Sequence, residues 1–400
     1  MNAAGQVLAI AALALALGLL VAVGVFVLQI VAHAIRPRRD GAAPAAAQRP
    51  SLTVLVPAHN EEGGIATTLA TVLPQLAPGD RLLVVADNCS DGTAAAARAA
   101  GAEVVERSSD LRGKGYALGH GIDHLRPDPP AAVVIVDADC ELAPGSLDAL
   151  MADLVRTGCP VQALYLMLAP AEAGLGRRLA QFAWRVRNWA RPAGWHRLGM
   201  PCQLMGTGMA FTWEMLRAAP LANASIVEDM KLGIDLAGRG TAPVFCDRAL
   251  VTSTFPESVA ATGTQRTRWE HGHLEMILRE VPAMLRLALA RRDRRLLGMA
   301  LDLAVPPLAL LAGLLGLDWC LALGGRLLGS GGTGTLALGL ATLSLGTFVG
   351  AVLLAWAIRG RDLVRLGELL AVPWYIVAKL PMYLRFLVRR QKDWVRTDRK

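Results

Sequence analysis

One stretch of the chain constrains the fold more than any other. Residues 133–136 (VVIV) are all apolar, which is the pattern of a strand buried on both faces of a sheet. Asp137 and Asp139 follow directly, where that strand should end. Ligands bind beyond the carboxyl ends of strands in open α/β sheets, and two carboxylates one residue apart can hold a divalent cation. A strand that ends in a simple polar turn is the alternative, since Asp is common in turns.

Three similar apolar segments precede this one and alternate with helical patterns. They lie at 52–57, 82–86 and 102–106, and the strand described above is predicted to cover 131–136. Strands that alternate with helices predict a parallel sheet made of right-handed crossovers, which is a Rossmann-like α/β fold. The carboxyl ends of such strands lie along one edge, so Asn60, Asp87 and Asp137 should lie close together. The sequence therefore predicts a polar binding site at this edge.

Long apolar runs at both ends of the chain indicate membrane segments. Hydrophobic residues make up 54% of the chain, and the excess is local. Residues 7–32 form a charge-free run that can span a bilayer and is too long for a signal peptide. A second run, 296–323, is apolar apart from Asp302 and Asp318, and a third covers 335–358. We predict an anchor and linker at 1–50, a globular domain at 51–292 and a membrane region at 293–400.

Basic residues flank the globular domain on both sides, which by the positive-inside rule places it in the cytoplasm. The last apolar stretch, 363–387, is interrupted by charges and a proline. It predicts an interfacial or re-entrant segment that contacts membrane lipids. The bias towards Ala, Arg and Gly favours a bacterial inner membrane. The net charge of +8 fits anionic lipids and phosphate-bearing substrates, and no nucleic-acid motif is present.

Two glycine-containing motifs have the composition of phosphate or sugar contacts. Gly113-Lys114-Gly115 offers a close backbone approach and a point charge, although a solvated turn is an open alternative. It lacks the remainder of a P-loop, which excludes an NTPase of that type. Residues 204–210 (LMGTGMA) contain two glycines separated by one residue, which suits a loop lying against a ligand.

Two further motifs have the residue types of acid–base and diphosphate chemistry. Glu228 and Asp229 lie at a probable helix start, where a carboxylate is either stabilised by the helix dipole or acts as a general base. Gln265, Arg268 and Trp269 share one helix face. An Arg beside a Trp can clamp a diphosphate and stack on a sugar ring.

The segment 174–197 interleaves arginines with tryptophans. This pattern fits either a membrane headgroup layer or a helix that packs its tryptophans into the core.

Together these motifs resemble those of the membrane-bound inverting glycosyltransferases of family 2. That group includes cellulose, hyaluronan and poly-N-acetylglucosamine synthases and ceramide glucosyltransferase. The matches occur in family order over about 51–275 and comprise 56–62 (VPAHNEE), 87–88 (DN), 90–93 (SDGT), 113–114 (GK), 137–139 (DAD), 228–229 (ED) and 265–269 (QRTRW). The resemblance implies a GT-A nucleotide-sugar-binding domain with transmembrane helices at both ends.

The resemblance also implies a role for each matched residue. The donor, most often a UDP-sugar, would contact Pro57, Asn60, Glu62, Asp87, Lys114 and Asp137. Asp139, with help from Asp137, would bind Mg²⁺ or Mn²⁺. Asp229, with Glu228 beside it, would deprotonate the acceptor hydroxyl. Gln265, Arg268 and Trp269 would line the acceptor and diphosphate side.

One base and no opposing nucleophile imply direct displacement, with inversion at the anomeric carbon. The acceptor stays open between a polysaccharide and a lipid-linked molecule, because Gly119 stands where many synthases have Asn. The membrane segments are few for a polymer channel, so a homodimer or an export partner is expected for a synthase. A polyprenyl-phosphate sugar transferase and a non-catalytic membrane scaffold are the alternative functions.

Overall fold

The computed structural model describes residues 2–35, 49–221, 227–255 and 259–388. The basic cluster at 36–39, most of the predicted linker and the basic tail after 388 lie outside these ranges. The side chains of 259–262, 264–266, 387 and 388 are likewise outside the description.

The centre of the described chain is one eight-stranded sheet. Its strands are β1 (Leu52–Ala58), β2 (Arg81–Asp87), β3 (Glu103–Arg107), β4 (Ala132–Ile135), β5 (Glu141–Leu142), β6 (Val161–Leu168), β7 (Met209–Thr212) and β8 (Val244–Thr254). The spatial order is β3-β2-β1-β4-β7-β6-β8-β5. The four strands predicted from the sequence are therefore confirmed, each within two residues of its expected ends.

The sheet is parallel in its first half and mixed in its second. β1, β2, β3 and β4 pair in parallel, as their alternation with helices predicts. β7 then pairs antiparallel with both β4 and β6, and β8 returns parallel to β6. Because β7 runs opposite to β4, the chain just before β7 lies next to the carboxyl end of β4. Residues 206 and 207 therefore reach the edge where Asp137 lies.

Helices cover the sheet and extend beyond it. In chain order they are α1 (Ala3–Ile35), α2 (Ile65–Val72), α3 (Thr93–Ala99), α4 (Lys114–Leu125), α5 (Ser146–Thr157), α6 (Leu175–Arg185), α7 (Arg191–Arg197), α8 (Trp213–Arg217), α9 (Glu228–Gly238), α10 (Val259–Arg291), α11 (Arg294–Leu303), α12 (Leu308–Leu327), α13 (Gly332–Arg359), α14 (Val372–Val377) and α15 (Leu380–Val388). A π-helical turn, Val186–Ala190, joins α6 to α7, and short 3₁₀ turns lie at Leu73–Gln75 and Leu366–Ala371.

Alternate strand residues build a core on each face of the sheet, as the two-residue period of a strand requires. Val54 and Val56 of β1 pack on one face with Leu69 of α2. Leu55 packs on the other face with Ile122 of α4. Both faces are thus covered by helices, and ligands reach the sheet at the ends of its strands.

Among the described residues, three helices are long and apolar enough to cross a membrane: α1, α12 and α13. The second of them differs from the predicted run at 296–323. Proline has no backbone N–H and blocks helix continuation, and Pro306-Pro307 divides that run into α11 and α12. Asp302 consequently lies on α11, outside the candidate span, whereas Asp318 lies within it. Residues 366–388 form only short helices, so no helix of spanning length occurs in this stretch.

The segment 174–197 is packed between the globular part and α1. The Trp195 side chain is 4% exposed, and its indole N–H donates to the carbonyl oxygen of Gly298 at 3.0 Å. Of the two interpretations of this segment, core packing therefore holds for Trp195. The Arg191 guanidinium binds Asp302 at 3.0 Å and Gln29 at 2.8 Å, which ties α7, α11 and α1 together.

Candidate active site

Most of the predicted site residues meet in one cavity of about 170 Å³. It lies beyond the carboxyl end of β4 and is closed by the start of α9 and by α10. The predicted residues in its wall are Lys114, Asp137, Asp139, Glu228, Asp229, Arg268 and Trp269. They come from four separate parts of the sequence, so only the folded chain brings them together.

Lys114 is held at the centre of this cavity. The preceding Gly113 has φ of +130°, a conformation that L side chains rarely adopt, and it lets α4 begin at Lys114. The Lys114 ammonium pairs with the Asp137 carboxylate and donates to the carbonyl oxygen of Gly206 at 2.7 Å. Burial lowers the pKa of Lys114, but Asp137 and Glu228 outweigh it, so the net pKa is raised. A fixed positive charge therefore lies in the cavity.

Asp137 and Asp139 provide the oxygen ligands that Mg²⁺ and Mn²⁺ prefer. The ligand atoms of Asp137, Asp139 and Cys140 lie within 4.8 Å of one another. The Cys140 thiol donates to the Asp139 carboxylate at 3.3 Å, and burial raises its pKa far above the ordinary value, so it stays protonated and is a poor ligand. The donor set of two carboxylates, with room in the cavity beside them, fits a hard divalent cation that a diphosphate also coordinates.

Glu228 and Asp229 begin α9 and face the same cavity. Burial and the neighbouring Asp229 raise the pKa of Glu228 to about 7, although Lys114 opposes the rise. Burial likewise raises the pKa of Asp229, again against the effect of Lys114. A carboxylate with a raised pKa is a stronger base than an ordinary Asp. The pair therefore has the electrostatics of a general base next to a like charge.

Arg268 and Trp269 form the wall contributed by α10. The Trp269 ring lies 5.0 Å from the Trp184 ring between centroids. Burial lowers the pKa of Arg268, while Glu228 and Asp137 act in the opposite direction. The backbone of Gln265 lies one turn earlier in α10, and its side chain is outside the described part. The structure thus places Arg268 and Trp269 at the cavity and leaves Gln265 a prediction.

The remaining predicted donor contacts, Pro57, Asn60, Glu62 and Asp87, lie at the ends of β1 and β2 and outside this cavity. Asn60 has φ of 55°, and its side-chain oxygen accepts from Ser90 N–H at 2.7 Å. Glu62 accepts from Gly92 N–H at 3.1 Å, and Asp87 pairs with Arg107. Asn60 and Glu62 thus join the two loops that follow β1 and β2, and Asp87 joins β2 to β3. The predicted contact of all four residues with a nucleoside stays a prediction.

The sequence reasoning missed Arg187 as a site residue. Arg187 lies on the π-helical turn and lines the cavity, with its guanidinium 5.6 Å from the Trp184 ring centroid. It forms no hydrogen bond or ion pair with any residue in the described ranges. Its position in the arginine-rich segment 174–197 was a signal, but the spacing alone did not show which arginine faces the site.

Gly206, in the loop predicted to lie against a ligand, also reaches the cavity. Its φ is +92°, and a methyl group in place of its hydrogen would lie 3.4 Å from the Asp229 carboxylate and 3.8 Å from the Lys114 ammonium.

The chain thus combines an α/β domain, a pocket with paired carboxylates at its strand ends, and apolar helices on both sides of that domain. A family model described as "Glycosyltransferase like family 2" matches residues 50–272. That range is more than half of the chain, so the chain belongs to this family.

Comparison with solved structures shows the fold. A mannosyltransferase from Pyrobaculum calidifontis, solved with GDP-Man and Mn²⁺, superposes with a TM-score of 0.57 at 18% identity, over 97% of this chain and 100% of that one. The expected GT-A fold is thereby confirmed. Glucosyl-3-phosphoglycerate synthase from Mycobacterium tuberculosis, solved with Mn²⁺ and UDP-glucose, is 24% identical with a TM-score of 0.41, over 60% of this chain and 83% of that one.

Among curated proteins, a 4,4'-diaponeurosporenoate glycosyltransferase of Staphylococcus aureus (strain bovine RF122 / ET3-1) is 38% identical over 93 residues. The matched stretch is 22% of this chain and 24% of the relative. The chain thus spans about a quarter of the length of that relative.

Proposed function

We propose that this protein transfers a sugar, with inversion, from a nucleotide-sugar to the hydroxyl group of a membrane-associated acceptor. The observation that supports this most is the single cavity in which Lys114, Asp137, Asp139 and Asp229 face one another. Two carboxylates for a cation, a fixed ammonium and a separate buried carboxylate are the groups that this reaction needs.

The donor diphosphate is bound beside the strand ends. Asp139 and Asp137 would hold Mg²⁺ or Mn²⁺, which would neutralise charge on the leaving diphosphate. The Lys114 ammonium contributes a second positive charge, and Arg268 and Arg187 supply guanidinium groups in the same wall. Preorganised charges of this kind stabilise a leaving group without reorganisation during the reaction. A UDP-sugar is the donor that the family resemblance favours, and a GDP-sugar is the donor named for the mannosyltransferase.

Asp229 removes the proton from the acceptor hydroxyl. The hydroxyl oxygen attacks the anomeric carbon from the face opposite the diphosphate. The bond from that carbon to the diphosphate oxygen breaks, and its electron pair leaves with the nucleoside diphosphate. Asp229 takes the proton, so the charges balance without a covalent intermediate. A single displacement inverts the anomeric carbon.

The same proposal includes the arrangement in the cell. We place the domain at 51–292 on the cytoplasmic side of a bacterial inner membrane, where nucleotide-sugars are available. The segments at 1–50 and 293–400 hold it at the lipid surface through α1, α12 and α13.

The test uses membranes that contain the full chain, a panel of labelled UDP- and GDP-sugars, and Mn²⁺ or Mg²⁺. We expect metal-dependent transfer from one donor in the wild type and loss of transfer in Asp229→Asn. Product with the anomeric configuration of the donor would exclude inversion. Absence of transfer from every donor, in membranes with native lipids, would favour the non-catalytic scaffold.

A further inference from the structure

A second cavity, of about 180 Å³, lies directly beside the active-site cavity. The two share three wall residues: Trp184, Arg187 and Trp269. The second cavity extends away from the carboxylates, towards the candidate membrane helices. A molecule with its reactive end at Asp229 would therefore continue past the Trp184–Trp269 pair into this space.

The walls of the second cavity are formed mainly by hydrocarbon side chains. Leu308 and Ala312 come from α12, Phe348 and Val352 from α13, and Ile376 from α14. Phe348 lies eleven residues before the end of α13 at Arg359, which is about 16 Å along a helix at 1.5 Å per residue. The cavity thus contacts about one turn of α13, Phe348 to Val352, well inside a helix that is long and apolar enough to cross a membrane.

The polar side chains in this wall are mostly satisfied within the protein. The Lys379 ammonium pairs with the Glu270 carboxylate at 2.6 Å, and Arg191 pairs with Asp302 at 3.0 Å. His273 hydrogen-bonds the carbonyl oxygen of Leu303 at 3.3 Å. Buried polar groups with internal partners do not need a polar ligand. Apart from Arg187, which lies at the boundary with the active-site cavity, the surface offered to a ligand is therefore mainly apolar.

We infer that this cavity holds the hydrocarbon chain of a lipid acceptor, whose terminal oxygen reaches the active site alongside the packed Trp184–Trp269 pair. The inference rests on the proposed function and narrows its acceptor from a polysaccharide to a lipid. A sugar polymer would leave the apolar wall without contacts and would lose hydrogen bonds to water. A lipid alcohol and a polyprenyl phosphate share the required chemistry, which is one long apolar chain with a nucleophilic oxygen at its end.

Two valines on α13 provide a matched pair of variants. Val352 lines the cavity, whereas Val349, three residues earlier, is 45% exposed on the outer surface and lies outside the cavity wall. Val352→Phe adds a ring to the cavity, and Val349→Phe adds the same ring elsewhere on the helix. Neither residue belongs to the catalytic machinery.

The assay uses the full chain in lipid nanodiscs, with straight-chain alcohols from butanol to hexadecanol and, in a second arm, undecaprenyl phosphate. A buried methylene contributes about 0.8 kcal/mol, so KM should fall about fourfold for each added methylene until the cavity is filled. Val352→Phe should raise KM for the long acceptors at least tenfold, leaving butanol transfer and donor hydrolysis by water unchanged. Val349→Phe should match the wild type.

The two acceptor arms distinguish the sources of the chain. Transfer to hexadecanol alone identifies a lipid alcohol, and transfer to undecaprenyl phosphate alone identifies a lipid phosphate. A KM that is independent of chain length, or equal effects of the two Phe variants, would overturn the inference.

A binding measurement keeps the inference testable without turnover. Hexadecanol that carries a diazirine at its chain end should cross-link to α12, α13 or α14, as read by mass spectrometry of the labelled peptides. Val352→Phe should reduce this labelling, and Val349→Phe should not. Labelling spread evenly over α1 and the outer faces would contradict the inference. Absence of sugar transfer from every donor, together with this specific labelling, would instead refute the proposed function.

Discussion

The substitution Asp229→Asn should separate the effect of the Asp229 charge on donor binding from its effect on catalysis. The Asp229 carboxylate and the Lys114 ammonium lie 3.4 and 3.8 Å from one point, the position of a Cβ atom added at Gly206. They are therefore no more than about 7 Å apart. At an effective dielectric constant of about 20, two unit charges at this distance interact by about 2 kcal/mol. In the wild type, Asp229 accordingly offsets part of the attraction that Lys114 exerts on a donor diphosphate.

Neutralising Asp229 should strengthen donor binding and weaken catalysis. Loss of an opposing interaction of about 2 kcal/mol lowers the Kd of the nucleoside diphosphate by about thirtyfold, since each 1.4 kcal/mol is a factor of ten. Loss of a general base lowers kcat by about 10²–10⁴. The loss in rate exceeds the gain in binding over this range, so kcat/KM should still fall.

Glu228→Gln is the matched control, because it removes one negative charge from the same cavity and leaves the proposed base in place. We expect tighter nucleoside diphosphate binding in both variants, measured by equilibrium titration in the presence of Mn²⁺. Transfer of labelled sugar should keep a kcat within about tenfold of the wild type in Glu228→Gln only. The reasoning is refuted if Asp229→Asn keeps its kcat, or if both variants weaken donor binding.

Three further outcomes follow from the geometry. The wild-type kcat should fall on acidification at a higher pH than an ordinary Asp would give, because the base must be ionised and burial raises its pKa. Glu228→Gln removes a like charge, so this acid limb should move to lower pH in a rate–pH profile, and an unmoved limb would contradict the coupling. Gly206→Ala and Gly145→Ala place Ala at φ of +92° and +79°, and each should cost about 1–2 kcal/mol in thermal unfolding. Only Gly206→Ala should lower kcat/KM, because a Cβ added at Gly145 has no atom within 4 Å. Equal kcat/KM values for the two variants would refute a role for the loop that contains Gly206. Asp302→Leu leaves the Arg191 guanidinium buried without the carboxylate that it binds, and it should destabilise the protein by about 3–5 kcal/mol. Denaturation in detergent measures this loss. An unchanged unfolding transition would show that the Arg191–Asp302 pair does not hold α7 and α11 together.

The parallel half of the sheet could be predicted because its signal is local. Each of β1, β2 and β4 is an apolar run buried on both faces, which is the pattern that a central parallel strand produces. β7 has only four residues, and its pairing with β4 joins positions about 75 residues apart. β4 is equally short, but it belongs to the run of four β-branched residues at 133–136, and β7 has no such run. The mixed half of the sheet therefore required the structure.

Residues of the candidate active site could be predicted where a polar or charged side chain follows a strand end or a glycine-containing loop. Asp137 follows a buried strand. Lys114 follows Gly113, whose positive φ is a conformation that other residues rarely adopt. Asn60 and Glu62 satisfied the same criteria and contact the neighbouring loop through Ser90 and Gly92. Polar residues at a strand end can contact a ligand, a loop or both, so the predicted contact of these two side chains with a donor stays a prediction.

Arg187 shows why a helical pattern could not complete the site. In a regular α-helix, residues four apart share one face, so Arg187 and Arg191 would be expected to have the same surroundings. Arg187 lies within the π-helical turn Val186–Ala190, and Arg191 follows directly after it. Such turns insert an extra residue and shift the faces of a helix. Arg187 consequently faces the active-site cavity, while Arg191 binds Asp302 and Gln29 between α11 and α1. One segment thereby provides a wall of the active site and a contact with the first candidate membrane helix. The proposed lipid cavity lies where these two surfaces meet, so its position depends on a local change of helical pitch that the sequence pattern does not reveal.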